Sequence, residues 1–198
     1  MLTHNRPALF QRALASVLGQ LPDGVEIIVN NDSNDITELQ HPKVSYYYNK
    51  YENLSGIYKF LLSQAQGTHI YYLEDDDYLL DGFFETVMPL LDNDIIAGNH
   101  YPTYNDTFIA RTTRMFHEHK PFVLNKEDMQ LSQFVMRKSL VETFVFPNDS
   151  HIHNDCRLVE HVIGQSTKIY PTAKLFFVQT TDGGDNISFP ESPNYYGI

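Results

Sequence analysis

The stretch Ile70-Tyr71-Tyr72-Leu73-Glu74-Asp75-Asp76-Asp77 joins a short apolar run to four consecutive acids. Because the apolar run contains β-branched and aromatic residues and follows Gly67-Thr68, it predicts a buried strand. Adjacent carboxylates repel one another unless a cation or another neutralising group lies between them. Ligands of open α/β sheets bind beyond the carboxyl ends of the strands, which is where these acids fall. Residues 74–77 are therefore either a solvated turn or, as we predict, a site for Mg²⁺ or Mn²⁺, the ions that carboxylates suit.

The segments on both sides of this stretch alternate between helix and strand patterns. Upstream, an amphipathic helix is predicted from Pro7, since proline suits the first helical position. The further predicted elements, in chain order, are strands at 25–29 and 44–48, a helix at 54–66, a helix at 82–91 that Pro89 shortens or kinks, and a strand at 95–98. Such alternation predicts an α/β domain whose central sheet is mainly parallel and flanked by helices.

The second half of the chain is less regular. Its predicted elements are strands at 107–115, 133–137 and 174–178, a helix at 155–163 and a loop-like tail from Gly183. Neither an internal repeat nor a linker-like composition divides the sequence. Because 198 residues suit one domain with a sizeable core, we predict a single domain over 1–198.

The composition argues against several classes of protein. With 14 basic and 25 acidic residues the net charge is −11, whereas nucleic-acid binders neutralise phosphates with clustered lysine and arginine. No apolar stretch approaches membrane-spanning length, and we expect no signal peptide. Because Cys156 is the single cysteine, no intrachain disulfide can form, and we expect a reducing, cytoplasmic compartment. Walker A and Rossmann glycine motifs are absent, which leaves kinase, ATPase and dehydrogenase functions without support.

Seven short motifs occur in an order that resembles the family 2 glycosyltransferases, which have the GT-A fold and transfer a sugar from a nucleotide diphosphate. The motifs are LTHNRP at 2–7, ALASVLGQ at 13–20, EIIVNNDS at 26–33, ENLSG at 52–56, LEDDD at 73–77, NDCRL at 154–158 and GGDNIS at 183–188. LEDDD is similar to the family's DxD motif. Each match alone is weak, but the ordered set covers nearly the whole chain. The resemblance implies a GT-A-like (Rossmann-like) domain in which about 1–100 binds the nucleotide sugar and about 101–198 binds the acceptor.

The resemblance also implies roles for individual residues. Asp76 would be the main metal ligand with Asp77 and Asp75 beside it, unless Asp75 contacts the ribose instead. Asp155 would be the general base that takes the proton of the acceptor hydroxyl while that oxygen attacks the anomeric carbon, which inverts the configuration. The implied donor-binding residues are Thr3, His4, Arg6, Asn30, Asn31, Asp32, Asn53, Lys59 and Asp75. We expect a UDP-sugar as the donor and a glycan or other hydroxyl compound as the acceptor.

Some positions depart from the family pattern and leave alternatives open. Asn30 and Asn31 replace acids near the expected nucleoside, although amides can also hydrogen-bond a base or ribose. Glu74 replaces the first aspartate of the DxD motif, and Asn154 replaces the acid that normally precedes the base. One alternative is therefore a GT-A-like domain that binds nucleotide or glycan without turnover. A nucleotidyltransferase ranks lower, because HNRP at 4–7 stands where that class has a Gly-rich basic loop.

Other polar residues near these motifs have two interpretations each. His151 and His153 are alternative catalytic or metal-binding residues, whereas His161 is predicted to be structural. Four basic residues either contact phosphates or are solvated surface charges: Lys59, Arg111, Arg114 and Arg137. Asp182 and Asp185 are predicted to form turns.

Overall fold

The computed structural model describes residues 1–33, 41–51, 53–104, 107–108, 116, 122, 129–147 and 154–180. The strands are β1 (Leu2–Thr3), β2 (Ile27–Asn31), β3 (Val44–Tyr47), β4 (His69–Tyr71), β5 (Tyr78–Leu79), β6 (Ile95–Tyr104), β7 (Thr107–Phe108), β8 (Phe134–Arg137) and β9 (Ile169–Thr180). The helices are α1 (Pro7–Leu18), α2 (Leu54–Gln64), α3 (Phe83–Val87), α4 (Lys138–Val141) and α5 (Asn154–Gln165). Short 3₁₀ turns at Met88–Leu90 and Leu131–Gln133 precede β6 and β8.

Local sequence signals fix the starts of α1 and α2. Pro7 is the first residue of α1, where its restricted φ fits a helix and its missing N–H costs nothing. Asn53 caps α2, since its side-chain oxygen accepts a hydrogen bond from the Gly56 amide at 3.0 Å. Both helices follow closely on a strand, α1 on β1 and α2 on β3. Their first turns therefore lie toward the carboxyl ends of these strands.

The strands form two sheets. The first has the order β1-β2-β3, and both of its pairs are parallel. The second has the order β4-β8-β6-β9-β5, with β7 paired to β6. In this second sheet β6 and β9 run parallel, whereas β8 is antiparallel to both of its neighbours and β5 is antiparallel to β9.

The predicted α/β class with flanking helices is confirmed. Among the strands that the structure describes, however, the parallel pairs are those of the first sheet and β6–β9, and the other pairs of the second sheet are antiparallel. Parallel neighbours need a long crossover connection, usually a helix. β8 directly follows the 3₁₀ turn Leu131–Gln133, and β5 directly follows the acidic residues after β4. A short apolar run has the same pattern in either direction, so the sequence did not reveal that these strands are antiparallel.

Most predicted elements are confirmed with different ends. β2 begins two residues later than predicted, and α3 is shortened by the 3₁₀ turn that contains Pro89. β6 and β9 continue well beyond 95–98 and 174–178, while β5 and α4 were missed because such short elements show no period. The strand predicted at 107–115 is present as β7 in its first two residues, and residues 109–115 lie outside the described residues, as does the tail from Gly183.

The hydrophobic core covers both faces of the second sheet. Along β6, Ile95 belongs to one core cluster, Ile96 to the other and Ala97 to the first again, as expected when successive side chains point to opposite faces. One cluster packs α2 and α5 against the sheet, and the other packs α1 and α3. Among the described residues, none of the helices has the length and hydropathy needed to cross a membrane.

Candidate active site

The acidic turn, residues 74–77, follows β4 and lies largely inside the protein. Asp75, Asp76 and Asp77 expose 3%, 6% and 3% of their surface, and Glu74 is partly exposed. It is therefore not a solvated turn. Burial disfavours the charged form of a carboxyl group, which raises the pKa of Asp76 and raises that of Asp77 strongly. Carboxylates packed this closely require neutralising partners.

Arg6 supplies one neutralising charge from the loop after β1. Its Nη1 lies 2.7 Å from Asp76 Oδ2 and 3.3 Å from Asp75 Oδ1. In the same loop the His4 amide donates to Asp75 Oδ2 at 3.2 Å, and the His4 ring pairs with the Asp32 carboxylate. Asn5 takes the left-handed backbone conformation, with φ of 54°, that asparagine tolerates better than most residues. This loop thus joins the ends of β2 and β4.

Arg12 is a second cation at the acidic turn, and sequence reasoning missed it. Its Nη2 donates to the Asp76 carbonyl at 2.8 Å and to Thr180 Oγ1 at 2.9 Å. The Asp77 carboxylate accepts a hydrogen bond from the Thr180 amide at 3.0 Å. Together these contacts fix the turn to the carboxyl end of β9. No local signal marks Arg12, because the main-chain oxygen it binds lies 64 positions away in sequence.

Three carboxylates of the turn are placed to share a cation. Glu74, Asp76 and Asp77 each offer one oxygen, and these oxygens lie within 4.8 Å of one another. An all-oxygen donor set fits Mg²⁺ or Mn²⁺, so the residues present suit the ion type that the sequence predicts. Asp75 is not in this group; its two oxygens contact the His4 amide and Arg6.

Asp155 comes to the same acidic group from the second half of the chain. It lies in the first turn of α5, where its Oδ1 accepts a hydrogen bond from the Cys156 amide at 2.7 Å. Burial, followed by the charges of Asp76, Asp155 and Asp75, raises the pKa of Glu74 to about 8. The pKa of Tyr58, whose hydroxyl hydrogen-bonds Glu74, is raised by burial and by the charges of Glu74 and Asp155. The predicted base and the acidic turn therefore lie within electrostatic reach of each other.

Asn30 is fully buried, and both ends of its amide are engaged by one residue. Its Nδ2 donates to the Asn49 carbonyl at 3.0 Å, and its Oδ1 accepts from the Asn49 amide at 3.2 Å. These bonds tie the end of β2 to the segment after β3. A carboxylate could accept but not donate here. An amide at position 30 therefore satisfies both main-chain groups of Asn49.

We expect Asn30→Asp to lower the free energy of unfolding by about 1–3 kcal/mol, because the Asn49 carbonyl would lose its donor in a buried site. Urea unfolding measures the loss. Asn49→Asp is the matched control, since Asn49 makes these bonds through its main chain and its side chain is not needed for them. Equal losses in the two variants, or none in Asn30→Asp, would contradict this role of Asn30.

The other predicted donor-binding residues divide into two groups. Thr3, Asn31 and Asp32 meet at the carboxyl ends of β1 and β2, where Thr3 is paired with Asn31. Asn31 closes a turn there by accepting from the Ser33 amide at 2.8 Å. The second group belongs to the region of α2: Asn53 precedes the helix and caps it through its side chain, and Lys59 lies within the helix and is exposed.

The remaining candidates lie elsewhere or outside the described residues. Arg137 pairs with Asp94 at 2.8 Å, at the start of β6 and so away from the carboxyl end of β4. His161 contacts Thr143 and Gln165 on the surface. The candidates outside the described residues are Arg111, Arg114, His151, His153, Asp182 and Asp185.

Solved structures with a similar fold include chains of S. aureus TarS. The fragment 1–349 in complex with UDP-GlcNAc superimposes with a TM-score of 0.76 at 16% identity, and the match covers 100% of this chain and 60% of that one. The same fragment in complex with UDP gives a TM-score of 0.71 at 17% identity, covering 93% of this chain and 60% of that one. At this identity the likeness shows the fold, which is that of TarS over part of its length.

Sequence comparison identifies the family. A curated relative is the GalNAc(5)-diNAcBac-PP-undecaprenol beta-1,3-glucosyltransferase of Campylobacter jejuni, which is 25% identical over 99% of this chain and 68% of its own length. This chain thus spans about two thirds of that relative and 60% of the TarS fragments. The sequence model described as "Glycosyl transferase family 2" matches residues 1–159, most of the chain and all of the acidic turn. With that match and the shared fold, the chain belongs to glycosyl transferase family 2.

Proposed function

We propose that the protein is a metal-dependent inverting glycosyltransferase that moves a sugar from a nucleotide-diphosphate donor to an acceptor hydroxyl. The observation that carries this proposal is the group of Glu74, Asp76 and Asp77, whose oxygens lie within 4.8 Å of one another, with Asp155 near enough for its charge to raise the pKa of Glu74. A donor whose diphosphate lies at the turn would have its sugar on the side of α5. Residues 1–100 would then bind the donor and residues 101–198 the acceptor, within a single domain.

The acidic turn supplies the diphosphate site in this proposal. A divalent ion held by Glu74, Asp76 and Asp77 would offset the negative charge that develops on the diphosphate as it leaves. Arg6 already lies on Asp75 and Asp76, and its guanidinium suits phosphate oxygens as well as carboxylates. Arg12 holds the turn in place through the Asp76 carbonyl.

Asp155 is the proposed general base. Its carboxylate takes the proton of the acceptor hydroxyl, and the hydroxyl oxygen forms a bond to the anomeric carbon. The bond between that carbon and the diphosphate oxygen breaks, and its electron pair leaves with the diphosphate. Attack from the side opposite the diphosphate gives one displacement and inverts the configuration.

The proposed donor is a UDP-sugar. Its nucleoside would bind at the carboxyl ends of β1 and β2, beside Thr3, Asn31 and Asp32. The TarS fragment has been solved with UDP and with UDP-GlcNAc, which supports a uridine nucleotide. The Campylobacter relative is named as a glucosyltransferase that acts on a lipid-linked glycan, which supports a glycan hydroxyl as the acceptor. We also propose that the protein is located in the cytoplasm.

A screen of nucleotide sugars by thermal unfolding, with Mn²⁺ and with EDTA, tests the function. We expect at least one UDP-sugar to raise the melting temperature in Mn²⁺ and to lose that effect in EDTA, because ligand binding stabilises the folded state. Turnover of the stabilising donor to free UDP then separates an enzyme from a binding domain. Stabilisation by none of the nucleotide sugars in either condition would contradict the proposal.

Asp32→Ala and Asn31→Ala should each weaken UDP binding by about 1–3 kcal/mol, the cost of losing a polar partner in a pocket. Isothermal titration with Mn²⁺ present measures the change. Asp23→Ala is the control, because Asp23 is an exposed acid before β2 whose partner is Lys43. Wild-type affinity in both pocket variants would place the nucleoside elsewhere.

A further inference from the structure

Arg6 contacts two carboxylates of the acidic turn, one of which belongs to the group that can share a cation. Its Nη1 lies 2.7 Å from Asp76 Oδ2 and 3.3 Å from Asp75 Oδ1. Asp76 is a member of the cation-sharing group, together with Glu74 and Asp77, whereas Asp75 is not. Arg6 and a divalent ion would therefore bind the same carboxylate.

The charge of Arg6 also reaches the rest of this group. Burial is the largest cause of the raised pKa of Glu74 and of Asp76, and the positive charge of Arg6 opposes the rise in both pKa values. A guanidinium that stabilises these carboxylates also repels a second cation placed among them, because like charges interact strongly in a largely buried site. Arg6 therefore opposes the binding of a divalent ion on its own.

Arg6 is the most exposed partner in these ion pairs. Its side chain exposes 24% of its surface, against 4% for Asp75 and 9% for Asp76. The Arg6 main chain is held at the start of α1, where its carbonyl accepts a hydrogen bond from the Phe10 amide at 3.0 Å. The guanidinium can therefore turn away from Asp76 by rotation of its own side chain, with Asp75 still within reach.

A diphosphate offers the Arg6 guanidinium another anion to bind. The planar fork of an arginine pairs with phosphate oxygens as it does with carboxylates. Arg6 can thus exchange Asp76 for a phosphate oxygen, which leaves the Asp76 carboxylate to the ion. Arg12 has a different task, because its bonds to the Asp76 carbonyl and the Thr180 hydroxyl hold the turn itself.

We propose that Arg6 is an exchangeable counter-ion of the acidic turn: it pairs with Asp76 until a nucleotide diphosphate engages its guanidinium. The site then takes a divalent ion together with the nucleotide in preference to the ion alone. This coupling rests on the proposed function, since it needs both ligands at the turn. By linkage, each ligand raises the affinity for the other by the same factor, and Arg6 contributes to that factor.

Titration of Mn²⁺ into the full chain without nucleotide tests the competition, with free Mn²⁺ followed by electron paramagnetic resonance. We expect Arg6→Met to bind Mn²⁺ alone at least about tenfold more tightly than the wild type, because the competing charge is gone. Lys43→Met is the matched control. Lys43 is a cation directly before β3 that pairs with Asp23 at 3.3 Å, and its loss should leave the Mn²⁺ affinity unchanged.

Titration of UDP should give a change of the opposite sign. With saturating Mn²⁺, we expect Arg6→Met to bind UDP at least about tenfold more weakly, because a charge-assisted bond to the diphosphate is lost. Arg6→Lys keeps the charge and should bind Mn²⁺ alone about as weakly as the wild type. Arg6→Gln is a second neutral variant that can still donate a hydrogen bond to Asp75, and it should behave as Arg6→Met does.

The opposite signs separate this coupling from a purely structural role of Arg6, which would weaken the binding of both ligands. Unchanged or weaker Mn²⁺ binding in both neutral variants would overturn the coupling, and the proposed function would stand if UDP binding still depended on Mn²⁺. Equally tight Mn²⁺ binding in Lys43→Met would also overturn it, because net charge would then control the affinity. Equal UDP affinity of the wild type in Mn²⁺ and EDTA would contradict the metal dependence of the proposed function, and the coupling with it.

Discussion

Asp155→Asn should reduce sugar transfer by roughly 10²-fold or more while leaving donor binding nearly intact. The amide has almost the shape of the carboxylate but cannot accept the proton of the acceptor hydroxyl, and a lost general base costs this much. Asp155 stands at the start of α5 and is not one of the three carboxylates that we propose to hold the ion. It should therefore contribute little to holding the nucleotide. Release of UDP from the donor measures transfer, and isothermal titration measures binding.

The control for this variant is Glu160→Gln, which removes a carboxylate from the same helix five positions further along. It should keep its activity. Asp155→Asn also removes a negative charge from the first turn of α5, which costs about 0.3–1 kcal/mol of stability, so its melting curve must be recorded alongside. If Asp155→Asn transferred the sugar at nearly the wild-type rate, another residue would be the general base. Variants of His151 and His153 would then be tested next.

Asp76→Ala should abolish metal-dependent UDP binding. Asp76 is one of the three carboxylates that can share a cation, and Arg6 also contacts it at 2.7 Å. Without Asp76 the turn loses a metal ligand, and Arg6 keeps Asp75 as its partner. The domain should stay folded, because the contacts of Arg12 reach the main chain of residue 76 and not its side chain. Titration of UDP with Mn²⁺ and with EDTA measures the effect.

Asp81→Ala is the matched control, since Asp81 is an exposed acid shortly after the same turn. It should bind UDP as the wild type does. Equal UDP affinity of the wild type in Mn²⁺ and EDTA would contradict metal dependence. Loss of binding in both variants would indicate that net charge, instead of coordination by Asp76, controls the affinity.

The sequence predicted those parts of the fold that depend on local patterns. The apolar run at 70–73 followed by four acids predicted β4 and the turn after it, and Pro7 predicted the start of α1. Pro89 predicted the shortening of α3, because a proline cannot continue the hydrogen bonding of a helix interior. The direction of β8 was not predictable, since Phe134, Val135 and Met136 form an apolar run that fits a strand of either direction.

The sequence predicted the acidic residues of the candidate site but not the hydrogen bonds that hold them in place. The run 74–77 is visible as a motif, whereas the bonds from Arg12 to Asp76 and Thr180 join residues 64 and 168 positions apart. Asn30 was predicted as one of the donor-binding residues, and the sequence did not show that its amide is bound on both sides by the Asn49 main chain. A sequence shows which groups a side chain carries, but the partner of a buried amide depends on which strands become neighbours.

The central claim is that the acidic turn holds the donor while Asp155 acts on the acceptor hydroxyl in the same active site. A crystal structure with a UDP-sugar and Mn²⁺ tests it most directly. We expect the ion and the diphosphate beside Asp76 and Asp77, the uridine beside Asp32, and the anomeric carbon between the diphosphate and Asp155. A nucleotide bound away from the acidic turn, or a sugar that points away from Asp155, would contradict the account.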